Sequence, residues 1–109
     1  MFNRFVIESD PAAFVDRAHA ALGALAARPG YLRGELTRSL DEPEHWCLVT
    51  EWESVGAYRR ALGGFDVKVT ATPLLAESLM EPCAYETLAL AVPGGEVETR
   101  SSDRATGGR

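Results

Sequence analysis

Hydrophobic and polar positions divide the chain into segments of two periods. From Phe2 to Glu8 they alternate: Asn3, Phe5 and Ile7 share one side, and Phe2, Arg4, Val6 and Glu8 the other. Period two predicts a strand with one side apolar except at Asn3. Ser9-Asp10-Pro11 then gives a helix start, with Asp10 as cap and Pro11 at a first position that needs no N–H. Phe14, Ala18, Leu22 and Leu25 follow at helical spacing, and Pro29-Gly30 ends the helix. Tyr31 to Leu40 alternates again, with Leu32, Gly34, Leu36 and Arg38 on one face and Tyr31, Arg33, Glu35 and Thr37 on the other. The acidic turn Asp41-Glu42-Pro43-Glu44 separates it from His45-Trp46-Cys47-Leu48-Val49-Thr50-Glu51-Trp52-Glu53.

That last stretch is the densest in the chain. It holds both tryptophans, one of two cysteines and one of two histidines. Its β-branched and aromatic residues suit a pleated, half-buried strand, with Trp46, Leu48, Thr50 and Trp52 on one face. At Ser54, a second cap, the period changes: Val55, Tyr58 and Leu62 mark a helix that Gly63-Gly64 stops. Phe65 to Leu79, interrupted by Pro73, predicts one or two short helical turns. Cys83 to Val92 alternates as a last strand.

The order β-α-β-β-α-β predicts an α+β, ferredoxin-like split βαβ domain over residues 1–92. Residues 93–109 have no apolar periodicity and are expected to form a flexible C-terminal tail. Both helices cover one sheet face. Apolar side chains also fall on the other, so two sheets packed face to face as a homodimer would bury both.

Composition narrows the partners. The 109 residues suit one domain. The net charge is −5, with a single lysine, Lys68, and no basic stripe, which argues against nucleic acid and an anionic membrane surface. No apolar run is long enough for a membrane span and no targeting segment is visible, so the expected location is cytoplasmic. Cys47 and Cys83 lack CxxC spacing and read as reduced thiols. No metal-ligand spacing, phosphate loop or nucleophile elbow occurs.

Four residues stand out for chemistry. Asn3 is the only carboxamide in the chain, since there is no glutamine. On an apolar strand face it would hydrogen-bond a substrate oxygen as charge develops there; the ordinary alternative is a solvated residue near a terminus. Trp52 would stack on an aromatic substrate with its N–H toward a carbonyl, or else seal strand against helix. Tyr58 lies on the inward stripe of the second helix and could donate to a substrate oxygen, or keep its hydroxyl in water. His19 flanks the first helix's stripe and would serve as a base near neutral pH, or lie on the surface.

Pro29-Gly30-Tyr31-Leu32, Glu35-Leu36-Thr37-Arg38-Ser39-Leu40 and Glu51-Trp52-Glu53-Ser54 with Tyr58 resemble the antibiotic biosynthesis monooxygenase family. The resemblance covers roughly residues 2–90 and implies a dimeric α+β barrel. Some family members oxidise polyketide anthrones to quinones with O2 and no cofactor. There Trp52 matches a strand-three tryptophan and Asn3 is similarly placed to a strand-one asparagine, whereas a second pocket asparagine, four residues before the tryptophan, is Leu48 here. In haem-degrading members a helix-two tryptophan is Ala61 here, and no histidine follows His45 as iron ligand. The expectation is a cofactor-independent monooxygenase acting on an aromatic polyketide-like small molecule. Asn3 and Trp52 would be its catalytic residues, and Tyr58 and His19 would bind substrate. The alternatives are a non-catalytic small-molecule-binding or stress-related barrel and a polyketide cyclase.

Overall fold

The strand predicted by the densest stretch, β3 (His45–Trp52), is the middle one of three. It pairs antiparallel with β1 (Phe2–Val6) on one edge and with β2 (Tyr31–Arg38) on the other. The structure is a computed structural model describing residues 1–103. Among these residues no helix is long and apolar enough to cross a membrane.

Helix α1 (Pro11–Ala26) starts as its sequence requires: the Asp10 carboxylate accepts a hydrogen bond from the Ala13 amide at 3.1 Å. Its buried stripe is Phe14, Ala18, Ala21 and Leu25, with Leu22 at the margin. Ser54 caps α2 (Val55–Ala61) in the same way, 3.0 Å from the Ala57 amide. A π-helical turn, Val67–Ala71, and α3 (Thr72–Leu75) follow, and Pro73 sits in the first turn of α3, where it breaks nothing. Val67, Ala71 and Leu74 pack with the α1 stripe over Phe5, Leu48 and Trp46. All the helices thus cover one sheet face, and the fold is α+β with an antiparallel sheet. The apolar area removed from water drives this layering, at about 1.5–3 kcal/mol for each fully buried leucine or phenylalanine.

Two features depart from the alternation. A bulge between Tyr31 and Arg33 shifts the register of β2. It places Tyr31 opposite Trp52 on the helix-covered side and leaves Leu32 exposed on the open side, the reverse of the simple alternating assignment. The chain also does not add Cys83–Val92 to the sheet as a fourth strand. Residues 79–83 run beside the free edge of β1 through two backbone bonds, Leu79 N–H to Arg4 C=O at 2.8 Å and Phe2 N–H to Cys83 C=O at 2.7 Å. A two-toothed Arg4–Glu81 ion pair reinforces this strap. The chain then forms a separate ribbon in which β4 (Ala89–Leu90) pairs with β5 (Glu98–Thr99). The cause is the turn at Val92-Pro93-Gly94-Gly95, where Gly94 has positive φ and the Gly95 amide donates to Val92 C=O at 2.9 Å. The first part of the expected tail is therefore the partner of β4; residues 104–109 lie outside the described residues.

The Pro29-Gly30 motif has a specific physical reason. Gly30 has φ 87°, and a Cβ added there would lie 2.5 Å from the Ala57 Cβ. Its carbonyl accepts from the Glu53 amide at 2.8 Å, so the start of β2, the end of β3 and α2 meet at one point. Gly30→Ala is expected to destabilise the fold by about 1–3 kcal/mol, read by urea unfolding; unchanged stability would contradict this account of the motif.

Candidate functional site

The register of β3 fixes which side chains meet beneath the helices. Rows across the covered face read Trp52 beside Tyr31, then Met1, Thr50 and Gly34, then Asn3, Leu48 and Leu36, then Phe5, Trp46 and Arg38. The last row belongs to the core: Trp46 packs edge-on against Phe14, with the Arg38 guanidinium 4.8 Å from the indole centroid. The buried polar residues Asn3 and Thr50 lie in the rows before it.

Asn3 is 7% exposed, on the same side as Phe5 and directly opposite Leu48. Among the described residues its carboxamide makes no hydrogen bond. Its polar atoms keep some contact with solvent, unlike Trp46 Nε1 and Arg28 Nε, which are fully buried without a partner. Asn3 thus makes no structural side-chain bond among the described residues.

Thr50 is 3% exposed and one row nearer the strand end, diagonal to Asn3. Its Oγ1 accepts from the Trp52 indole N–H at 2.9 Å. The indole N–H expected to face a substrate carbonyl is therefore occupied within the fold. Trp52 is held between two tyrosines in edge-on contacts, Tyr31 at 5.4 Å and Tyr58 at 5.5 Å between ring centroids. Its ring stays half-buried. The Tyr31 side chain runs over Gly34, where an added Cβ would sit 2.6 Å from its hydroxyl and 3.1 Å from the Thr50 methyl. Burial raises the pKa of the Tyr58 phenol, so it remains a neutral donor through the physiological range.

The structure brings Trp52 and Tyr58 into contact at one end of the covered face and places Asn3 on the same face two rows away, opposite Leu48. It does not bring His19 there: that side chain is exposed on the outer surface of α1, because Ala18 and Ala21 take the inward positions. Tyr31 and Thr50 join the cluster instead. Alternation put Tyr31 on the opposite face, and only the bulge, invisible without the pairing, reverses it. Thr50 carried a usable signal, since it is the one hydroxyl in line with Trp46, Leu48 and Trp52.

A cavity of about 600 Å³ opens at the same end of the sheet. Thr50 and Trp52 line it from the covered side, Phe2, Val49 and Arg33 from the open side, and Tyr85 from the C-terminal segment. It lies around the strand end rather than between helices and sheet. Among the described residues no group of three His, Cys, Asp or Glu side chains is arranged to hold a metal ion.

A model of the antibiotic biosynthesis monooxygenase family matches residues 4–71. The chain belongs to this family. SnoaB from Streptomyces nogalater, a cofactor-independent oxygenase, is similar in structure: TM-score 0.64 and 31% identity over 80% of this chain and 92% of SnoaB. An asparagine-to-alanine variant of SnoaB aligns at TM-score 0.63 and 24% identity over 96% of this chain and 92% of that one. A conserved protein from Methanosarcina mazei Go1 shares the fold at TM-score 0.60 and 17% identity, over 76% of this chain and 82% of its own. No curated protein matches the chain.

Proposed function

We propose that this member of the family is a cofactor-independent monooxygenase that oxidises an aromatic, polyketide-like small molecule of the anthrone type to a quinone in the cytoplasm. The observation that carries the reading is the carboxamide of Asn3, in a residue 7% exposed and without a hydrogen bond among the described residues, on the same sheet face as the Trp52 cluster. The 31% identity to an oxygenase that needs no cofactor supports it.

The chemistry asks little of the protein. An anthrone methylene is acidic because its carbanion is an enolate. Loss of one proton, to water at the cavity, leaves an electron pair that passes one electron to O2. The resulting radicals combine as a C–O bond, a proton completes a hydroperoxide, and loss of water leaves the new carbonyl. One O2 is consumed and one H2O released per quinone formed. Asn3 would donate its N–H to the enolate oxygen, where negative charge develops, in a water-poor environment. Trp52 would face the flat ring, and Tyr58, kept neutral by burial, would donate a second hydrogen bond.

Leu48 and the outward His19 favour a second reading, in which the same site binds a small aromatic molecule without turning it over. It would lack both a second carboxamide and a base.

The functional unit we propose is a homodimer. Phe2 and Val6 are 43% and 39% exposed on the open sheet face, with half-buried Cys47 and Val49 between them. A second copy laid sheet to sheet would cover them. Gel filtration or mass photometry at micromolar concentration is expected to give twice the chain mass; a monomer alone would contradict it.

With 1,8-dihydroxyanthrone and no added metal or flavin, the protein is expected to take up O2 above the spontaneous rate. Asn3→Ala should lower kcat by about 100-fold or more, and Trp52→Phe should raise KM. Turnover unaffected by both changes would overturn the residue assignment. Tight binding without O2 uptake would favour the second reading.

A further inference from the structure

Hydrogen-bond accounting at Thr50 leaves one group unspent. A threonine hydroxyl has one proton to donate and lone pairs to accept with. The Thr50 oxygen accepts from the Trp52 indole N–H at 2.9 Å. That bond orients the hydroxyl so that its own proton points away from the indole. Among the described residues no acceptor receives it. The side chain is 3% exposed, so bulk water does not readily supply one. A buried donor in this position has a partner in most folded proteins.

Its surroundings say where such a partner would sit. Across β2 the facing residue is Gly34, and Leu22 Cδ1 and the Tyr31 hydroxyl fill the space its side chain would take, so that side of Thr50 is closed. The Tyr31 hydroxyl reaches over that glycine and approaches the Thr50 methyl. Diagonally across β1 lies Asn3, the other buried polar residue, whose carboxamide makes no hydrogen bond among the described residues. Thr50 also lines the 600 Å³ cavity, which Asn3 does not. Thr50 is therefore the residue that belongs both to the cavity wall and to the covered-face row next to that of Asn3.

We infer that Thr50 is a ligand-binding and positioning residue: its oxygen fixes the plane of the Trp52 indole while its proton is donated to an oxygen of the bound molecule. This rests on the aromatic-ligand reading above and adds a ligand requirement to it. The molecule must present an acceptor oxygen, a carbonyl or a phenolate, within reach of both Thr50 and Asn3. A single hydroxyl performs both tasks because the indole bond sets the rotamer in which the proton faces the ligand. Threonine is suited to this in a strand, where its branched Cβ restricts χ1 to few orientations.

The test compares Thr50→Val, which keeps the shape and removes the hydroxyl, with Thr50→Ser, which keeps the hydroxyl and removes the methyl. Binding of 1,8-dihydroxyanthraquinone, which cannot be oxidised at the reacting carbon, is followed by quenching of indole fluorescence in the full chain. O2 uptake with 1,8-dihydroxyanthrone is measured in parallel. Thr50→Val is expected to weaken anthraquinone binding and to lower kcat, each about tenfold. It should also shift the Trp52 emission of the free protein, recorded with Trp46→Phe as background. Thr50→Ser should restore all three to within about threefold of the parent. Wild-type behaviour in Thr50→Val, or Thr50→Ser as impaired as Thr50→Val, would overturn the inference while leaving the oxygenase reading intact. Anthraquinone binding that depends on Thr50, with no O2 uptake by the parent protein, would uphold Thr50 and overturn the oxygenase reading. A parent protein that neither binds the quinone nor takes up O2 would overturn both.

Discussion

A strand hydrogen-bonded on both edges cannot slip by one residue without turning its whole inward set outward. In this chain β3 is that strand, and its register decides what the helices cover. Trp46 and Leu48 face Phe14, Val67 and Leu74 and make the core. Thr50 and Trp52, two and four residues further on, lie beyond the dense packing, where the sheet ends and α2 begins. The same alternation that builds the core thus delivers a hydroxyl and an indole to its margin. Neighbouring strands complete the group through the same pairing: Asn3 from β1 and Tyr31 from β2.

The polar character of that margin has a cost, and the cost is informative. The covered face is apolar at Phe5, Leu48, Leu36 and Trp46, so an unpartnered carboxamide at Asn3 and an undonated proton at Thr50 oppose folding. Surface ion pairs such as Arg4–Glu81 and Arg33–Glu51 return little, because water screens them. Replacing Asn3 by valine would be the stabilising choice if the site had no ligand. The core row carries such a group as well, the Trp46 indole N–H, buried without a partner.

Much of this was legible in the residues, for identifiable reasons. Asp10-Pro11 and Ser54 announce helix starts because caps act locally. The strip Trp46, Leu48, Thr50, Trp52 is readable because period two holds throughout β3. Partners are another matter. Alternation over Cys83–Val92 suggests a strand without saying what it pairs with, and the Pro93-Gly94 turn gives it Glu98–Thr99 rather than the sheet edge. The bulge that turns Tyr31 inward likewise shows only in the pairing of β2 with β3, next to the close approach of Gly30 to Ala57, residues 27 positions apart in sequence. The occupied indole N–H of Trp52 is a two-residue contact, but it needs a rotamer that no sequence pattern specifies.

The central claim is that a small aromatic molecule places an oxygen against the Asn3 carboxamide. The chain has one asparagine and no glutamine, so a proton–nitrogen correlation spectrum of the labelled protein contains a single carboxamide pair, assigned without further work. Titration with 1,8-dihydroxyanthraquinone is the direct measurement. A downfield shift of that pair, saturating together with changes at the Trp52 indole, is the predicted result. A pair that stays fixed while shifts gather on the open sheet face around Phe2 and Val49 would contradict it.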